Sequence, residues 1–102
     1  MTRLDQLKVF LLEDPDDPFN HYALAMEHMS TDPELARKML LAVIEKFPEY
    51  VPTYYQAANL SMLAEENELA LLLIHQGKNK AALASDHKAL AELNRLAQEL
   101  EY

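Results

Sequence analysis

Apolar and polar positions along this chain repeat with the period of a helix, in six stretches parted by short acidic or proline-bearing joints. Over residues 2–13, Leu4, Leu7, Val9, Phe10, Leu11 and Leu12 fall mostly at i, i+3, i+4 and i+7 spacing, which predicts an amphipathic helix with Thr2 as its N-cap. Glu13-Asp14-Pro15-Asp16-Asp17 ends it. The residue before a proline leaves the α region, and clustered carboxylates oppose the dipole at a helix C-terminus. A second helix is predicted over 18–30, with Asp17 as cap, Pro18 at the first turn, and Phe19, Tyr22, Ala23, Met26 and Met29 as its apolar stripe. Ser30-Thr31 turns the chain, and Asp32-Pro33-Glu34 repeats the start signal for a helix over 33–47. Leu35, Ala36, Met39, Leu40, Val43, Ile44 and Phe47 make that helix apolar enough to require packing on two sides.

The plan restarts at Pro52. A helix over 52–64 carries Tyr54, Ala57, Ala58, Leu60, Ser61 and Leu63, and another over 66–84 carries Leu69, Ala70, Leu72, Leu73, Ile74, Ala81 and Ala82. Gly77-Lys78-Asn79-Lys80 has the composition of a loop, but Ala81 to Ala84 resume the helical pattern, and an interior glycine costs a helix only about 1 kcal/mol relative to alanine. A continuous helix through Gly77 is the preferred reading. Ser85-Asp86 caps a last helix over 86–101, with Ala89, Leu90, Leu93, Leu96, Ala97 and Leu100 inward and Lys88, Glu92, Arg95, Gln98 and Glu99 on a wet outer face. A polar outer face suits a helix that ends an array.

Pro18 and Pro52, Ala23 and Ala57, Ala36 and Ala70, and Val43 and Gly77 recur at a period of about 34 residues. On this repeat, and on the runs DPFNHYALAMEH, EKFPEYVPTYYQAANL and DHKALAELNRL, the chain resembles the tetratricopeptide-repeat family, in particular its small single-domain bacterial members. The resemblance implies an all-α fold, a superhelical array of about six antiparallel helices in one domain over residues 1–102. In such an array the first (A) helices of the hairpins line a concave face. The opening helix then stands where the second (B) helix of a preceding hairpin would be. Departures from the pattern are Asn20 and Tyr54 at the family's tryptophan position, Leu24 and Ala58 at its glycine position, and Glu27 and Ser61 at its first-helix tyrosine position.

The resemblance also implies a non-enzymatic role, holding a peptide or helix of a partner protein on the A-helix face. The residues it places there are His21, Tyr22, Ala25, His28 and Met29 from one helix, and Tyr55, Gln56, Asn59, Met62 and Leu63 from the next. Tyr22, Met29 and Leu63 have a competing reading as core. Some relatives grip a C-terminal carboxylate with Lys, Arg and Asn. Asn59 matches one such position, yet no Lys or Arg lies between His21 and Met29 or between Tyr54 and Leu63, which argues against acidic tails as ligands. An alternative role is a homo-oligomer, a dimer built on the terminal helices, where Leu4, Leu7 and Leu11 of the opening helix seek cover.

Composition narrows the rest. A formal charge of −8, from nine basic and seventeen acidic residues, repels phosphate backbones and argues against nucleic acid. With one glycine there is no phosphate-cradling loop. With no cysteine there is neither thiol chemistry nor a thiolate metal site, and a reducing, cytoplasmic setting is expected. No apolar run reaches the roughly 18–20 residues of a membrane span, and the first residues are unlike a signal peptide. His21 and His28 stand two turns apart, about 10.5 Å along the axis, too far for one zinc ion with bonds near 2 Å. No carboxylate pair or nucleophile is imposed by spacing. No catalytic residue, cofactor or metal is therefore expected.

Overall fold

The computed structural model describes residues 1–100. It holds six helices in sequence: α1 (Arg3–Glu13), α2 (Pro18–Glu27), α3 (Pro33–Lys46), α4 (Pro52–Leu63), α5 (Asn67–Leu83) and α6 (His87–Leu100). Each packs on the next, and α4 also touches α6, giving an elongated body of 43 × 29 × 20 Å. No described helix is long and apolar enough to cross a membrane.

The helix starts follow the caps in the sequence. Thr2 and Asp5 close a capping box on α1, Asp17 accepts from the Phe19 amide, Asp32 from that of Leu35 and Asp86 from that of Ala89. The ends are less legible. The second helix, expected to reach residue 30, stops at Glu27, because the amides of Thr31 and Asp32 both turn back to the His28 carbonyl. The other boundaries differ from expectation by one residue, and the expected last position, Glu101, lies outside the described residues.

Two turns end in an unusual way. Glu65 (φ 61°) and Ser85 (φ 55°) sit in the left-handed region, and in each turn the following amide reaches back five residues, Glu66 to the Ser61 carbonyl and Asp86 to that of Ala81. This five-residue span is the 6→1 bond of the Schellman arrangement, which usually has glycine where Glu65 and Ser85 stand. A left-handed side chain costs roughly 1–2 kcal/mol. Glu65→Gly and Ser85→Gly are therefore expected to stabilise the protein by about 0.5–1 kcal/mol each, after glycine's greater unfolded freedom is deducted. Urea unfolding checks this, and a loss of stability in both would contradict it.

Small residues set the inter-helix distances. Ala25, Ala36, Ala57, Ala58, Ala70 and Ala81 are all fully buried, and around them close Leu40, Tyr54, Leu73, Ile74, Leu93 and Leu96. Helix α5 runs unbroken through Gly77, as preferred from the sequence. A Cβ on Gly77 would lie 2.6 Å from Tyr54 Cβ and 3.0 Å from Leu93 Cδ1, so α4, α5 and α6 meet where there is no room for a methyl group. Some apolar positions are corrected by the structure. Leu72 and Ala82 face solvent, and the buried residues of α2 are Leu24 and Ala25, while Phe19 is half exposed at 52%. Of the stripe predicted for α2, Tyr22, Met26 and Met29 rest on the core with part of their surface open.

Repeat equivalence extends to hydrogen bonds. Asn20 donates through Nδ2 to the carbonyls of Phe10 and Asp14, and Tyr54 donates through its hydroxyl to that of Pro48 at 2.6 Å. The two side chains, at the same repeat position, each tie an A helix to the C-terminal end of the preceding B helix.

Candidate A-helix face

Helix α4 has one open side. Tyr55, Gln56, Asn59 and Met62 are half-buried there and Leu63 is exposed, whereas Thr53, Tyr54, Ala57, Ala58, Leu60 and Ser61 turn inward. Tyr55 and Met62 pack on the core cluster while keeping an outer edge, and Asn59 lies between them one turn from each. On α2, Tyr22, Met26 and Met29 likewise rest on the core with part of their surface free.

The nucleus of this face is an aromatic pair. Tyr22 of α2 and Tyr50, from the connection into α4, meet edge to face with centroids 5.6 Å apart at 62°. Burial pushes the Tyr22 phenol up; neighbouring Tyr50 and, more weakly, Glu92 of α6 raise it further, and the Gln56 amide works against them. Burial also raises Tyr50, with Asp17 adding to the effect. Glu92 also lines a shallow depression with Pro52, Asp86, Lys88 and Ala89. At about 190 Å³ it is smaller than the roughly 300–1,000 Å³ of cofactor and small-molecule sites, and its scale suits a side chain.

Three residues expected on this face are elsewhere or closed. Ala25 is fully buried and offers no surface, since its smallness is used to bring α2 onto its neighbours. His21 lies on the other side of α2. Its Nε2 is 2.6 Å from the Pro15 carbonyl, its ring tilts over Phe47 at 5.1 Å, and it lines a groove with Leu11, Met39 and Lys46 between α1 and α3. His28, seven residues on, shares that side of the helix, and its carbonyl closes the α2–α3 turn. Leu63, 75% exposed, borders the α2–α3 turn beside Thr31, Pro33 and Glu34 and is not core. Met29, by contrast, does rest on the core.

Tyr50 is the member that sequence reasoning missed, and Glu92 is the residue of α6 that it misplaced. The repeat register gives no hint of Tyr50, because Asp16 is its counterpart one repeat earlier. Glu92 has a fainter signal: it stands three residues after Ala89 and four before Leu96, on the margin of the apolar stripe of α6. It is half-buried, contrary to its expected place on a wet outer face. Among the described residues no group of three or more His, Asp or Glu is arranged to hold a metal ion.

This architecture is shared with solved structures. The crystal structure of a tetratricopeptide repeat domain protein from Salinibacter ruber superposes with a TM-score of 0.80 and is 31% identical, covering 83% of this chain and 97% of that one. The chain belongs to the tetratricopeptide-repeat family. A solution NMR structure of a tetratricopeptide repeat domain protein from the same organism agrees, with a TM-score of 0.79 and 34% identity over 86% of this chain and 90% of the other. No family model and no curated protein matches the chain. Within the tetratricopeptide frame α2, α4 and α6 are A helices and α1, α3 and α5 are B helices. The Tyr22–Tyr50 pair and Gln56 accordingly lie on the A-helix side, and the His21 groove lies between two B helices.

Proposed function

We propose that this tetratricopeptide-repeat chain is a non-enzymatic interaction module that holds a peptide or helix of a partner protein on its A-helix face. The observation that carries this reading is the edge-to-face Tyr22–Tyr50 pair, both rings half-open, together with the half-buried Tyr55, Gln56, Asn59 and Met62 on the open side of α4. Aromatic rings supply rigid contact area, and Gln56 and Asn59 supply donors and acceptors for a partner's backbone. The Gln56→Ala/Asn59→Ala double variant is expected to release a captured partner, with affinity down about tenfold, while its melting temperature stays within a few degrees of wild type. Pull-down with calorimetry on the captured protein measures this. Partner affinity equal in both proteins would contradict it.

One observation favours a second reading, a homodimer through α1. Leu7, expected to seek cover in a dimer, is already buried within the single chain, with Leu4 and Leu11 half-buried. This helix packs chiefly on α2, and Val9 and Leu12 (83% exposed) stand on its outer side. An antiparallel pairing with a second α1 would bury these side chains in a two-fold contact. Light scattering would then give twice the chain mass, reverting to the monomer with Leu12→Lys; a monomer for wild type at millimolar concentration removes this reading.

A further inference from the structure

The α2–α3 turn and the end of α4 enclose a groove of their own. Thr31, Pro33 and Glu34 line it from the turn and the first residues of α3, and Leu60, Leu63 and Ala64 line it from α4. Its volume, about 410 Å³, falls within the roughly 300–1,000 Å³ of ligand sites, unlike the 190 Å³ depression at Glu92. Leu60 is buried beneath it, whereas Leu63 stands 75% exposed at its edge. The lining is apolar, and the charge around it is not balanced. Residues 31–38 and 64–68 carry the carboxylates of Asp32, Glu34, Glu65, Glu66 and Glu68, against Arg37 and Lys38. Arg37 is engaged, its guanidinium holding both oxygens of Glu34 at 2.7 and 3.1 Å, and Asp32 caps α3. Glu65 and Glu66 follow directly on Ala64 in the chain, are exposed, and form no ion pair among the described residues. An apolar lining bordered by free carboxylates suits side chains that bury an apolar stem and keep a cationic head at the rim.

We propose that this groove is a second docking site, separate from the A-helix face, and that it takes a basic segment of a partner protein in which lysine or arginine adjoins apolar residues. The apolar side chains lie on Pro33, Leu60 and Leu63, and the cations meet the carboxylates of the two turns. The chain's net charge of −8 steers such segments toward it at long range. The inference does not depend on the A-helix face being a binding face.

The test uses the full chain and an acetylated, amidated hexapeptide of leucine and lysine. One comparison peptide has glutamate for lysine, the other serine for leucine. Amide chemical shifts give position, and their titration gives affinity. The leucine–lysine peptide is expected to move Thr31, Glu34, Leu63 and Ala64, with both comparison peptides about tenfold weaker. Leu63→Ser, at a position the core does not use, should weaken it about tenfold. The Glu65→Gln/Glu66→Gln double variant should weaken it about fivefold. Glu45→Gln, on the same α3 but about 16 Å along the axis from Glu34, leaves it unchanged. No binding of the leucine–lysine peptide, equal affinity for the glutamate peptide, or shifts that avoid the groove overturns the inference. Full affinity in Leu63→Ser overturns it too. Concentration-dependent shifts at Leu63 with no peptide present would give the groove to a second copy of the chain and likewise overturn it. The A-helix reading stands or falls separately, on its Gln56 and Asn59 variants.

Discussion

Gly77→Ala is expected to destabilise the protein by about 1–2 kcal/mol, although alanine is the better helix former by about 1 kcal/mol. The reason is space. The new methyl would stand 2.6 Å from Tyr54 Cβ, an atom fixed by the α4 backbone, and 3.0 Å from Leu93 Cδ1. Only the leucine can swing aside, so α5 itself must move away from α4 or tilt. Overpacking of this kind costs typically 1–3 kcal/mol, and part of the propensity gain is subtracted from it. Thermal unfolding should show a melting temperature lower by roughly 5–15 °C. An alanine variant more stable than wild type would mean that α4 and α5 do not approach as closely as described.

Tyr54→Ala should be costlier still, at about 3–5 kcal/mol, in line with removal of a large buried aromatic side chain. Tyr54 is 1% exposed, lies against Gly77, and its hydroxyl closes the end of α3 through the Pro48 carbonyl. Against a total stability of about 5–15 kcal/mol for a domain of this kind, such a loss brings a protein at the bottom of that range close to its unfolding midpoint. Tyr54→Phe keeps the ring and gives up one hydrogen bond, so its cost should be about 1 kcal/mol. Denaturant unfolding of the two variants separates the contributions. A Tyr54→Ala protein within 1 kcal/mol of wild type would show that the α3–α4–α5 junction is not the centre of the fold.

Much of this architecture was legible in the sequence because its signals are local. The Asp-Pro starts at Asp17-Pro18 and Asp32-Pro33 mark helix beginnings by side-chain capping, and the period of about 34 residues reveals one hairpin copied onto another. Gly77 was readable as helical because the repeat asks for a small residue there and Ala81 to Ala84 resume the helical pattern. What the sequence hid was three-dimensional rotation. Helix α2 carries apolar or aromatic residues on most sides, so periodicity alone does not say that Leu24 and Ala25 are closed while Tyr22 and Met26 stay half-open. His21 was misplaced for the same cause: it neighbours Tyr22 in sequence, yet a step of one residue turns about 100° around a helix, enough to carry it to the α1–α3 groove. Tyr50 joins the site only through the packing of a connection, which no repeat register encodes.

The two sides of α2 also provide the most direct test of the account. Amide chemical-shift mapping of the labelled protein, with the captured partner added unlabelled, reads both sides in one experiment. The account predicts perturbations at Tyr22, Tyr50, Gln56 and Asn59, with Leu11, Met39 and Lys46 unchanged. Perturbations concentrated on Leu11, Met39 and Lys46, with the A-helix face silent, would contradict it.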